Sequence, residues 1–318
     1  MSSLALCTSK VISLSAQDFQ RTGAVFVAVG HNGIRLFSED GKTWSKPALG
    51  KEGETYRFVQ FHQGTCVAVG SYGGANIFAV TTDGQTWKTQ SREAKYVNYI
   101  RCLGVGKDGF LGIGGDAGGG GIPGKCLVAS SKDGLTWSDM ESIDGKSMLR
   151  RVVFGNNRFV AVGNLGRRAV SIDGKAWTDA PKPKALDTLI DVAFGNNVFV
   201  GVGLHGLRMT SSDGLTWDHR QVGEEGEHLN SVLWTGDQFV AVGQGVTYFS
   251  KDGAAWRHEN NTNAPTNAVH GNGVFLGAKW KGRLMRSTDA ISWHEVHQCE
   301  HHLEAVGYGG LKSSFAQK

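Results

Sequence analysis

Charge is scarce in this chain. Only 19% of its 318 residues are Asp, Glu, Lys or Arg, and they sum to +4. With an isoelectric point near 8.7, that balance is too mild for a nucleic-acid binder, which shows a clustered basic face. Long apolar runs are missing too. No stretch approaches the roughly 18 residues of a membrane span, so no membrane insertion is expected. Met1 to Gln20 has no apolar leader core. Leu4-Ala5-Leu6-Cys7 falls short of a lipoprotein box, because no apolar stretch precedes it and no small residue stands before Cys7. The compartment stays open: cytoplasmic as written, extracellular or periplasmic if a leader was removed. Five cysteines, an odd number at irregular spacing, do not describe a disulfide framework.

What is present is glycine and repetition. Gly accounts for 46 residues, about twice ordinary usage. One short stretch recurs seven times: Ser38 to Trp44, Thr81 to Trp87, Ser131 to Trp137, Ser171 to Trp177, Ser211 to Trp217, Ser250 to Trp256 and Ser287 to Trp293. Its tryptophans are 43, 50, 40, 40, 39 and 37 residues apart. A period in that range signals a solenoid, propeller or array. Each copy carries a hydroxyl residue, an Asp suited to bonding nearby N–H groups, and a Gly able to take positive φ. The closing Trp is large enough to anchor the turn in a core. The seventh copy has Asp289-Ala290 and is expected to turn differently.

The stretch resembles the Asp-box of sialidase-like β-propellers, also called the bacterial neuraminidase repeat. The resemblance covers nearly the whole chain. It implies a structural hairpin between the third and fourth strands of each blade, built on Asp40, Asp83, Asp133, Asp173, Asp213, Asp252 and Asp289.

Residues 149–180 show one unit: an apolar strand, a Gly-Asn-Asn turn, a second strand Arg158 to Gly163, a third at 167–171, and a fourth after Trp177. Second strands such as Val25 to Val29 and Phe239 to Val242 are apolar on both faces, as strands covered on both sides are. First strands are expected at 56–61, 100–105, 149–154, 189–194, 229–234 and, weakly, 265–270. Leu303 to Tyr308 is a first strand with nothing after it, and residues 24–47 lack one before them. The chain is therefore read as all-β, a seven-bladed propeller of four-stranded antiparallel blades over residues 21–318, closed by the C-terminal strand joining the first blade. Residues 1–20 are a tail or an extra edge strand. Closure removes two exposed edges, and the protein is expected to be a monomer.

Strand parity sorts the loops. The repeated boxes and the first-to-second turns share one end, which is monotonous. Second-to-third loops and inter-blade connections share the other, which varies, and variable loops on a rigid scaffold carry function. There, Arg35, Arg168 and Arg208 occupy equivalent places, with Arg167 and Arg283 one residue earlier in their blades. They form an anion subsite, or they solvate the surface and pair with Glu224, Glu225 and Glu227. Trp280 is the one tryptophan that neither a box nor the core position of Trp234 explains. It stacks on a ligand or packs on its own rim. The insertion Asp116 to Gly124 is a flap or a plain mobile loop, and no P-loop Lys-Ser/Thr follows it, so no cofactor is expected. The run His294 to His302 is rich in metal-ligand types but matches no zinc spacing, and no metal is assigned. Cys299 could reach Cys7 near the closure. Cys66 and His270 replace core aromatics and are read as inert core residues.

Sialidases of the resembled family carry an Arg-Ile-Pro motif and six blades. Here Ile122-Pro123 follows Gly121, and seven repeats are counted. No carboxylate pair stands out for glycosidase chemistry. The function read from the sequence is a non-catalytic binding propeller that takes a glycan or acidic ligand at its variable end through Arg35, Arg168, Arg208, Trp280 and Arg283. The alternatives are a carbohydrate-active enzyme, glycoside hydrolase or polysaccharide lyase, and a scaffold for protein partners.

Overall fold

The computed structural model describes residues 23–94, 99–119, 122–145, 147–181 and 184–312. Residues 1–20 and Cys7 lie outside them. The chain is all-β and builds seven antiparallel sheets in a ring. Six sheets have four strands each, in simple up-and-down order. In blade four these are Leu149–Gly155, Arg158–Gly163, Arg168–Ser171 and Thr178–Asp179. Blade one is completed from the far end of the sequence: Leu303–Gly310 pairs with Ala24–Gly30, which pairs with Arg35–Ser38. Its fourth strand shrinks to a bridge between Arg35 and Ala48. The seven first strands line the axis, each against the first strand of the next blade.

The core lies between blades. Val25, Val27 and Val29 of blade one pack with Tyr56, Cys66 and Ala68 of blade two. Two-faced apolar strands are required because every sheet is covered twice. A first-strand aromatic meets a second-strand aromatic in five blades: Tyr308–Phe26 at 4.8 Å, Phe154–Phe159 at 4.8 Å, Phe194–Phe199 at 4.7 Å, Trp234–Phe239 at 4.6 Å and His270–Phe275 at 4.7 Å. His270 does replace an aromatic, and burial lowers its pKa. Cys66, Cys102, Cys126 and Cys299 are free thiols, and burial pushes the Cys66 thiol up.

The repeated turn is the same device in all seven blades. In blade five, Asp213 Oδ1 accepts the N–H groups of Leu215 and Thr216, both at 2.8 Å, while Ser211 Oγ accepts Gly214 N–H at 2.7 Å. The Gly takes positive φ and presses on the preceding blade, so that a Cβ on Gly214 would lie 2.5 Å from Val160. The seventh copy is not altered. Ala290 adopts φ +61 and Asp289 keeps both N–H bonds at 2.8 Å. A bond of 2.7 Å from Thr247 Oγ1 to the Ala290 carbonyl ties it to blade six.

The glycine-rich insertion differs from a plain loop. It lengthens the second and third strands of blade three into Gly109–Gly119 and Ile122–Ser131, paired as far as Gly119 with Ile122. Blade seven has a short first strand, Val269–Gly271, which starts later than the sequence suggests.

Candidate functional site

Arg35, Arg168 and Arg208 are not gathered at an open surface. They are 6%, 8% and 5% exposed. Each third-strand guanidinium lies over an aromatic ring of the next blade: Arg35 over Trp87 at 5.5 Å, Arg168 over Trp217 at 5.3 Å, and Arg208 over Tyr248 at 3.9 Å. The carbonyls of Leu49, Asp187 and Gly206 each accept from one terminal nitrogen of these arginines, while the Nε groups of all three are buried without a hydrogen-bond partner. Tyr248 in turn donates to Glu227 at 2.9 Å. These arginines staple blades together through cation–π contact in a desolvated seam. Arg283 also serves its own hairpin, donating to the Trp280 carbonyl and facing Glu295 at 3.9 Å. Arg167 is sealed under its loop by Asp179 and the Ser147 and Asp144 carbonyls. Of the five residues expected to meet ligand, Trp280 stands out as exposed, at 66%.

A different set of side chains reaches the mouth of the axis. In six blades one residue near the start of the first strand is bulged out of its pairing. These residues are Arg57, Arg101, Arg150, Ile190, Asn230 and Glu304. The cause is a glycine on the second strand opposite: Gly70, Gly114, Gly163, Gly203, Gly243 or Gly30. A Cβ at any of them would strike the carbonyl two residues before the bulged one, at 1.8 to 2.5 Å. That close approach leaves an extra residue on the inner strand, and a bulge re-aims the side chain it carries. In blade seven Lys279 takes the place of the glycine, and no such bulge forms.

Three consecutive blades thus present arginine at one level of the mouth. Arg57 and Arg150 are exposed and Arg101 is half-buried. Burial, then repulsion from Arg57, lowers the Arg101 pKa, with Arg150 adding to it and Asp116 opposing. Arg101 Nε donates to the Gly115 carbonyl at 3.1 Å, and Arg150 Nε donates to Asn164 Oδ1. Arg57 approaches Glu304 only to 3.9 Å. One layer deeper, Arg151 meets Asp191 at 3.7 Å, and Asp191 Oδ2 accepts the Val232 N–H at 2.9 Å. Burial raises the Asp191 pKa against those partners. The signal for this set was present in the sequence as glycine after an apolar second strand, but a one-residue bulge has no signature of its own.

Glu304 links the arginines to the closure. It holds His31 at 2.8 Å, His31 packs edge-on to His302 at 5.1 Å, and His302 lies against Trp280 at 4.7 Å. Trp280, Lys281, Gln298, Cys299, Glu300 and His302 line an open cleft of about 410 Å³. The histidine-rich run is splayed: His297 faces Trp44 at 6.2 Å, while His301 Nδ1 meets the Asn32 amide at 3.3 Å. Among the described residues no three His, Cys, Asp or Glu side chains are placed to hold a metal. Among the described residues the large apolar side chains left exposed are Leu49, Tyr72, Leu165, Leu186, Val222, Trp280 and Ile172. All but Ile172 lie in or next to second-to-third loops or inter-blade connections, at the variable end.

No protein-family model matches the chain, and no curated protein matches it in sequence. Solved structures do share its fold. YCF48, in a structure bound to a D1 peptide, is 18% identical with a TM-score of 0.54, over 76% of this chain and 81% of that one. A protein of unknown function from Desulfotomaculum acetoxidans is 10% identical with a TM-score of 0.66, over 92% of this chain and 100% of the other. Sqt1 of Saccharomyces cerevisiae is 12% identical with a TM-score of 0.58, over 90% and 85%. At such identities the likeness is one of fold.

Proposed function

We propose that this chain is a non-catalytic Asp-box propeller that binds a protein partner on its variable end, drawing an acidic segment onto Arg57, Arg101 and Arg150. The observation that carries the reading is the composition of that end: adjacent guanidiniums at the mouth, ringed by Leu49, Tyr72, Leu165, Leu186, Val222 and Trp280. Exposed apolar residues around a charged centre suit a protein interface, where aromatic and arginine side chains supply most of the binding energy. The peptide held by YCF48 in its structure supports the same reading. Glu304 and Asp191 each face a basic partner and serve here as counter-charges, and Asp116 does the same for Arg101.

The test is a titration with an alternating Glu-Ser peptide and its Lys-Ser counterpart, against wild type and the triple variant Arg57→Gln, Arg101→Gln, Arg150→Gln. Wild type is expected to bind the acidic peptide alone, and more weakly as salt rises. The triple variant should lose about thirtyfold or more, since charge-assisted bonds contribute about 1.5–3 kcal/mol each. Equal binding by the triple variant would overturn the proposal. The cleft at Trp280 favours a second reading, a sugar ring stacked on the indole. A glycan array that lights up and fades in Trp280→Ala selects it.

A further inference from the structure

The second-to-third hairpins of blades one, two, four, five and seven close over two residues that both take positive φ: Asn32-Gly33, Gly73-Gly74, Leu165-Gly166, His205-Gly206 and Lys281-Gly282. In blades one, four and five the pair is sealed by a bond from the next residue's N–H to the carbonyl before it, as from Arg167 to Asn164. This turn favours Asn or Gly first, because a side chain there is strained in the left-handed region. Asn32 conforms. Leu165 does not: it holds φ +53 and ψ +34, and its side chain is 59% exposed. A bulky residue in that conformation is strained and here secures little burial in return.

The tip is also rigid. Arg167 is buried beneath it by Asp179, Ser147 and Asp144. Gly166 sits so close to the Lys184 carbonyl that a Cβ would approach it to 2.1 Å. That contact sets Leu165 beside the 184–187 turn, whose Leu186 is 75% exposed. Asn164, the preceding residue, accepts a bond from Arg150, which ties the Leu165 tip to an arginine of the mouth.

We infer that this blade-four corner is the specificity element of the docking face. Leu165 and Leu186 take an apolar side chain of an extended peptide, while Arg150 and Arg101 take the carboxylate of an adjacent acidic residue. This rests on the partner-binding reading above and assigns the partner's chemistry. A strained, preorganised apolar tip beside a guanidinium is complementary to an acidic–aliphatic dipeptide, and preorganisation lowers the entropic cost of binding it.

The test compares an alternating Glu-Leu peptide with the Glu-Ser peptide, on wild type, Leu165→Asn and Leu186→Asn. Wild type is expected to prefer Glu-Leu by about tenfold, as burial of one aliphatic side chain allows. Leu165→Asn should abolish that preference, keep the Glu-Ser affinity, and melt at higher temperature, because Asn suits the turn. Leu186→Asn should weaken the preference without the rise in melting temperature. Undiminished preference in Leu165→Asn overturns the inference and leaves the arginine reading intact. Loss of Glu-Ser binding in the arginine variant together with no peptide preference in wild type also overturns it. So does self-association of wild type, measured by sedimentation and lost in Leu165→Asn, which would make a second copy the occupant.

Discussion

Arg208 and Arg57 show how one residue type is assigned opposite work. Arg208 sits on a paired third strand, 5% exposed, with its guanidinium 3.9 Å from the Tyr248 ring. Arg57 sits in a bulge with a side chain 40% exposed, its nearest acid 3.9 Å away. The first stabilises a blade seam, and the second is the one we propose meets a ligand. Replacing Arg208 by Ala should cost about 2–3 kcal/mol in urea denaturation, from the lost stacking and the orphaned carbonyls. Binding of the Glu-Ser peptide should not change. A larger loss of affinity than of stability would return Arg208 to the ligand site.

Elements here are tuned by glycine, and the tuning differs by position. Gly163 is extended, so Gly163→Ala brings no backbone strain of its own. Its Cβ would meet the Met148 carbonyl at 2.1 Å and must push the bulge at Arg150 apart. Reduced affinity for acidic peptides beyond any change in melting temperature is the expected result. In a repeated turn, Gly134→Ala combines φ +78 with a 2.2 Å clash on Val67, whereas Gly73→Ala, in the second-to-third hairpin of blade two, has φ +54 but meets nothing within 4 Å. Chemical denaturation should show about 3 kcal/mol lost for the first and about 1 kcal/mol for the second. The turn aspartates add a pH dependence. The N–H groups of Lys175 and Ala176 hold the Asp173 carboxyl below its ordinary value. A carboxyl depressed in the fold stabilises fully above its unfolded pKa of about 3.9 and loses that contribution as pH falls through the folded value. Circular dichroism should therefore show stability nearly constant from neutrality to about pH 5 as far as these turns are concerned, and falling below pH 4. Asp173→Asn should flatten that fall.

At the scale of the molecule, closure decides stability. Among the described residues Leu303–Gly310 is the hydrogen-bonded neighbour of Ala24–Gly30 on the axial side, in a register running from Ala24–Gly310 to Gly30–Leu303. Removing residues 303–318 would bare the apolar edge of Ala24–Gly30 and part of the core shared by blades one and two. Such edges invite pairing with other chains. Light scattering should show aggregation, and the thermal transition should broaden or vanish. A sharp, monomeric transition would mean that the open ring is stable without its clasp.

The sequence by itself determined the repeat, the number of blades and the closure. These rest on periodicities of about forty residues and of two, which any reader can count. It also determined which end would be plain, because strand parity follows from the order of elements alone. The tertiary structure decided which arginines reach the mouth. Equivalent positions in a ring were expected to converge, so Arg35, Arg168 and Arg208 were the natural choice, yet third-strand positions face the neighbouring blade and not the axis. Only the packing shows that. The residues that do converge are lifted out of the pairing by a carbonyl approaching glycine, and whether a strand slips by one residue is settled by contacts between strands. Leu165 was equally invisible, since a leucine in a short Gly-containing loop is ordinary until its φ is known.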